Sequence, residues 1–259
     1  GGVAYAAYPE RPVERVAWAS PGGGSHIMMR TFARAAEGIF PVPLYVVNKP
    51  GSGGAVGMAY VVGKPADGYT ILGVTNNLVL TPLTQPAVEH DHTDFTPIGI
   101  FGLDPKIIAV RAGGPYQSIV DLVRAARERP GSVKIGLFGV GTDDHILAFW
   151  LARESGAEWT YIPYSGGGEQ VAALLGGHID AIVTEPAEVL GQVQAGNLKV
   201  VAVALEQRLK LMPEVPTLAE LGWNVVVPKF RGLVVKKGTP PDVVARIRTL
   251  SARVVQSPV

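Results

Sequence analysis

Short apolar runs alternate along the chain with stretches of helical period. The runs are Val13 to Ala19, Leu44 to Val47, Thr70 to Val74, Ile107 to Val110, Val133 to Phe138, Trp159 to Ile162, Ala181 to Val183 and Val200 to Leu205. Between them the 3.6-residue period predicts helices over Ser25 to Ala36, Gly54 to Val62, Ser118 to Arg129, Asp143 to Glu154, Gln170 to Leu175, Pro186 to Ala195 and Pro240 to Val255. Ser118 reads as an N-cap and Pro130-Gly131 as a stop. Strands separated by helices need crossover connections, so the class is α/β with mainly parallel sheets.

One internal similarity organises the pattern. Ser20 to Arg34 lies on Gly139 to Arg153 without a gap, matching Gly22 with Gly141, His26 with His145, Ile27 with Ile146, Ala33 with Ala152 and Arg34 with Arg153. Each copy follows an apolar run, so a strand, glycine loop, helix unit is expected once in each of two lobes. The division read from it is residues 8–105 plus 227–259 for one lobe and 106–226 for the other. Lobes facing each other would aim two helix N-termini into one cleft. Helix N-termini carry unpaired N–H groups and partial positive charge, and glycine admits a carboxylate close to the backbone. A third loop, Tyr164 to Gln170 with its Gly166-Gly-Gly run, precedes another helix and adds donors.

Composition narrows the function. With 259 residues, 47% hydrophobic and 17% charged, the chain can bury a sizeable core. Its 23 Lys+Arg against 22 Asp+Glu leave +1, with no block of like charges, which argues against a nucleic-acid partner. The longest apolar run is far short of the roughly 18 to 20 residues of a membrane-spanning helix. The absence of Cys excludes disulfides and thiol chemistry and suits cytoplasm and periplasm alike. The uncharged, Ala-rich start from Gly1 to Tyr8 reads as a chain trimmed near an export cleavage site.

No enzyme motif is complete in the chain. Gly51 to Gly57 misses the dinucleotide fingerprint by one place, no phosphate loop occurs, and no Ser lies in a G-x-S-x-G frame. Catalytic residues, a cofactor and a metal are therefore not expected. Glu89-His-Asp-His-Thr-Asp94 has the residue types of a zinc site but no strand or helix pattern, and reads as a solvated loop. His26 and His145, each in a helix's first turn, either touch a ligand or cap the helix. Asp143 and Asp144 are ligand-side acceptors or simply acids favoured by the helix dipole. Arg231 either pairs with a second carboxylate or forms an exposed salt bridge, and the amides of Asn76 and Asn77 either reach the cleft or make a turn.

At these residues the chain resembles the solute receptors of tripartite tricarboxylate transporters, the Bug-type periplasmic receptors. The resemblance runs through Tyr8 to Pro12, Pro21 to Gly24, Val47 to Gly54, Ala66 to Thr70, Asp94 to Pro97, Gly141 to His145, Tyr164 to Glu169, Leu174 to Gly177, Ala195 to Leu198, Pro213 to Thr217 and Gly238 to Pro241. It implies a two-lobe Venus-flytrap fold, a bacterial periplasmic location, a monomer, and a partner made of one large and one small integral membrane protein. The alternative function is a carboxylate sensor that signals to a non-transport partner. The glycine loops, the residues weighed above and the resemblance together give as expected ligand residues Ser20, Gly23, Gly24, Ser25, His26, Asn76, Asn77, Val140, Gly141, Thr142, Asp143, His145, Tyr164, Gly166, Thr184 and Arg231. Thr184 stands where many relatives place an Asp suited to an ammonium group, so the expected ligand is a di- or tricarboxylate in preference to an amino acid.

Overall fold

A computed structural model describes residues 8–257. The Ala-rich start, read as the remnant of an export cleavage site, lies outside the described residues but for Tyr8. The chain divides into two compact units. One takes in the residues up to Ala19, Ser25–Gly102 and those from Phe230 onward; the other takes in Ser20–Gly24 and Leu103–Lys229. The chain thus passes from one to the other inside strands, and the loop Ser20–Gly24 groups with the second unit.

The first unit is built on strands β1 (Val13–Ala17), β2 (Leu44–Asn48), β3 (Thr70–Val74), β4 (Phe95–Asp104) and β10 (Lys229–Lys236), in the order β2-β1-β3-β10-β4. β1 runs parallel to β2 and β3, with Val13 opposite Leu44 and Glu14 opposite Thr70, whereas β10 is antiparallel to β3. Helices α1 (Gly24–Ala35), α2 (Ala55–Val62), α3 (Asn77–Thr84) and α8 (Pro241–Gln256) accompany this sheet. Met29, Phe32, Ile71, Leu233, Ile247 and Leu250 form its core. Fully burying such a side chain stabilises by about 1.5–3 kcal/mol, and β1 and β3 are buried along their whole length, Glu14 and Arg15 of β1 included.

The second unit repeats the plan. Strands β5 (Ile107–Arg111), β6 (Val133–Phe138), β7 (Trp159–Tyr164), β8 (Ala181–Thr184) and β9 (Leu198–Val203) lie in the order β7-β6-β8-β5-β9. β6 is parallel to β7 and β8, and β5 is antiparallel to β8 and β9. Helices α4 (Ile119–Glu128), α5 (Asp143–Ser155), α6 (Gly167–Leu175) and α7 (Pro186–Gln194) supply the crossovers. Ser118 caps α4 as expected, its Oγ accepting from the Asp121 amide at 3.1 Å.

Both sheets are therefore mixed: in the first, β10 runs against the parallel β1, β2 and β3, and in the second, β5 alone runs against β6, β7, β8 and β9. Two strands escaped the pattern. β4 carries Pro97, Gly99 and Gly102 and lies at the edge of its sheet, where a missing N–H is tolerated. β10 follows Pro228 and opens on the charged Lys229 and Arg231. α3 was also missed, because it follows β3 at once and contains Pro82. α6 begins three residues before the predicted Gln170, since its first glycines are helical.

The near-miss glycine motif has a packing reason. A Cβ on Gly54 or Gly57 would lie 2.8 or 2.6 Å from the buried Trp18 side chain, so the small residues make room for that indole.

Candidate functional site

In the second unit three glycine loops converge. After β1, the Ser20 amide donates to the Ser165 carbonyl at 3.0 Å and the Gly23 amide to the Ser20 carbonyl at 3.0 Å. Gly22 is in the left-handed region (φ +82°) and packs on Gly168. Ser20 is buried, and its Oγ has no hydrogen-bond partner among the described residues. After β6, Gly139 and Gly141 adopt φ of 69° and 74°, and the chain turns directly into α5. The Thr142 hydroxyl donates to the Phe138 carbonyl at 2.5 Å and gives no bond to the first-turn amides of α5. Val140 is half exposed at the tip of this loop.

The third loop is shaped by its neighbours. A Cβ on Gly166 would lie 2.3 Å from Ser20 Oγ, one on Gly167 would lie 2.4 Å from Glu188 Cδ, and one on Gly168 would lie 2.5 Å from the Pro21 carbonyl. These glycines accordingly serve close packing of loop on loop. Tyr164, half-buried, accepts the Gly139 amide on its carbonyl at 3.1 Å, and burial pushes its phenol up.

Behind the loops lies a buried charge cluster that the sequence did not reveal. The Lys106 ammonium contacts Asp144, Glu185 at 2.5 Å and Asp143 at 3.3 Å, while Lys229 meets Glu185 at 2.5 Å and Asp143 at 3.5 Å. Asp144 also accepts the Phe138 amide at 2.9 Å. Burial pushes the Lys106 amine down, but the three carboxylates outweigh it and hold the amine well above its ordinary value. Burial pushes Asp143 up, yet Lys106 and Lys229 more than offset this and lower it; for Asp144 burial prevails and raises it. Among the described residues, Asp143, Asp144 and Glu185 are the group whose oxygens gather as a metal would need, but the Lys106 ammonium already supplies the positive charge there. Asp143, expected as a ligand residue or a dipole acid, is thus first a lysine partner. Lys106, Lys229 and Asp143 are too far apart in sequence to show this. The Glu185-Pro186-x-Glu188 start of α7 does carry a visible helix-start signature.

Two further carboxyl contacts belong to Glu188. It accepts from the Gly24 amide, and from the Thr184 hydroxyl at 2.5 Å. Burial, then neighbouring Glu185, raises its pKa to about 8. His145 is a loop clasp: its Nδ1 accepts the Gly141 amide at 3.0 Å, which leaves the proton on Nε2, and its ring meets Tyr161 edge-on. Burial pushes its pKa below 6.5.

The first unit holds the other expected residues. Asn48 donates to the Ala19 carbonyl at 2.7 Å, so its Oδ1 accepts from His26 Nδ1 at 3.0 Å. Ser25 is buried in the first turn of α1. Asn76 Oδ1 accepts the Phe230 amide at 3.1 Å, and the buried Asn77 opens α3. Arg231, on β10, is only 8% exposed, which corrects the reading of an exposed salt bridge. The segment from Glu89 to Asp94 forms a turn: His90 Nδ1 meets Asp94 at 3.1 Å, and Asp91 accepts from the Thr93 amide and hydroxyl at 2.7 and 2.6 Å.

The family described as the tripartite tricarboxylate transporter family receptor matches residues 28–259. Protein BugT of Bordetella pertussis is 30% identical over 254 residues, 96% of this chain and 78% of that protein. The solved structure of the periplasmic binding protein BugD is 27% identical with a TM-score of 0.92, covering 97% of this chain and 85% of that one. That of Rpa4515 from R. palustris with adipate is 25% identical with a TM-score of 0.91, covering 96% and 85%.

Proposed function

Because the chain belongs to the family of tripartite tricarboxylate transporter receptors, we propose that it captures a small di- or tricarboxylate in the periplasm and delivers it to a transporter of two integral membrane subunits. The observation that carries this reading is the pair of glycine loops, Ser20–Gly24 and Gly139–Thr142. Each turns through a left-handed glycine into a helix start, and the N-cap residue of α5 leaves the helix amides to other acceptors. Charge-assisted hydrogen bonds contribute about 1.5–3 kcal/mol each. Three or four of them reach the roughly 8 kcal/mol of a micromolar complex after some loss to ordering. The adipate held by Rpa4515 supports this ligand class.

The chain acts as a receptor and returns its ligand unchanged, since binding by backbone amides calls for no nucleophile and base. A thermal-shift screen of di- and tricarboxylates tests it, because a ligand that binds only the folded state raises the melting temperature. No shift with any of them would overturn the reading. In calorimetric titrations, Arg231→Ala is expected to weaken a dicarboxylate at least about tenfold, or about 1.4 kcal/mol, and hardly to change a monocarboxylate. Equal losses for both would assign Arg231 to the fold.

A further inference from the structure

Glu188 is the third residue of α7, and its carboxyl is held from several sides. The Gly24 amide, at the start of α1, donates to Oε1. The Thr184 hydroxyl donates to Oε2 at 2.5 Å and the Glu185 amide approaches the same oxygen at 3.4 Å. On the remaining side lies Gly167, whose missing side chain is what admits the carboxyl. An acid and a hydroxyl from one stretch, a glycine from a second and a helix-start amide from a third thus fit one another, while the Glu188 side chain stays partly accessible.

We propose that Glu188 is a specificity-determining residue: its carboxyl is the built-in occupant of the Gly24 amide, and a solute carboxylate takes that amide only by displacing it. This rests on the carboxylate-binding reading above. It follows that a simple dicarboxylate binds against an internal competitor. Competition is strongest when Glu188 is ionised, because its charge then both holds the amide and repels the solute. The charged groups facing it are Glu185, which opposes ionisation, and Lys229, which favours it. Its raised pKa, about 8, places that change near neutrality.

Two measurements separate this inference from the reading on which it rests. The first uses no ligand: the Gly24 amide resonance is followed from about pH 6 to about pH 10. It is expected to shift with one titration in the wild type and to stay flat in Glu188→Gln, which keeps the shape of the side chain. A flat Gly24 resonance in the wild type overturns the proposal whatever the protein binds. The second is calorimetric titration with adipate, succinate and citrate. Glu188→Ala is expected to bind at least about tenfold tighter than the wild type near pH 8, the loss of one competing charge-assisted hydrogen bond. Wild-type affinity is expected to rise as pH falls through Glu188's range, and that of Glu188→Gln to stay level. Equal affinity in wild type and Glu188→Ala overturns the displacement. Binding of none of the three by either protein, with Gly24 still titrating, overturns the carboxylate reading instead.

Discussion

The passage from β1 through Ser20–Gly24 into α1 and the passage from β6 through Gly139–Thr142 into α5 share a backbone but not a way of balancing charge. In the first, no acid lies in the opening turn of the helix, and the Gly24 amide takes an acceptor from a distant helix, Glu188. In the second, the opening turn itself carries Asp143 and Asp144, and lysines 38 residues before Asp144 and 44 residues after Glu185 pair with the group. Each loop also has a histidine at the matching place. His145 clasps its own loop through Gly141, whereas His26 reaches β2 through Asn48. Five residues upstream the basic side chains part as well: Arg15 is fully buried on β1 and Lys134 is exposed on β6. A repeated backbone device therefore fixes where amides point, and the side chains around it decide what those amides meet.

The largest test of that contrast removes the second passage's counter-charge. Lys106→Met leaves Asp143, Asp144 and Glu185 buried without their main cation and is expected to cost about 3–5 kcal/mol in denaturant unfolding. Its deficit should shrink on acidification, as the carboxylates take up protons. The wild type should behave oppositely with respect to Asp143: its lowered pKa contributes stability that is present above 3.8 and is lost as pH falls through the folded value. A loss below about 1 kcal/mol would mean that the cluster is not balanced by Lys106.

Arg15 gives the next effect, with the opposite sign. Its guanidinium stacks on Phe32 at 3.9 Å and meets Met29 Sδ at 3.7 Å, but its Nε and Nη1 have no hydrogen-bond partner among the described residues. Burial pushes its pKa down to about 9. Arg15→Met is expected to stabilise by about 1–3 kcal/mol, since it removes buried donors without acceptors. Lys134→Met, on the exposed face, should stay within about 0.5 kcal/mol. Thermal and chemical unfolding of both variants decides this, and destabilisation by Arg15→Met would show that the stacked guanidinium holds β1 to α1.

The smallest effect concerns the clasp. His145→Ala is expected to cost about 1 kcal/mol, one net hydrogen bond. It should also remove a pH dependence. With its folded pKa below 6.5, neutral His145 contributes stability that is present above 6.5 and declines as pH falls through the folded value. Unfolding at several pH values checks the slope, and the same slope in His145→Ala would assign it to another group.

Much of this is legible in the sequence. β3 and β6 match the apolar runs residue for residue, and α4 matches through Ser118, because a largely buried strand or a capped amphipathic helix advertises itself locally. The two helix starts of the repeat were readable from glycine and histidine spacing. β4, β10 and α3 were not, since proline and glycine that normally break such elements are tolerated at a sheet edge or within a short helix. Among the site residues, the glycine loops were legible, but their reasons were not: Gly166 and Gly167 make room for Ser20 and Glu188.

The sequence by itself determined the α/β class, the duplicated strand-loop-helix unit and the family, because these depend on periodicity and on motifs contiguous in the chain. Only the tertiary structure decided the partners of the charged groups. Lys106, Asp144, Glu185 and Lys229, and likewise Gly24 and Glu188, lie tens to more than a hundred residues apart. Coulomb attraction and hydrogen bonding depend on distance in space, which a linear pattern does not record.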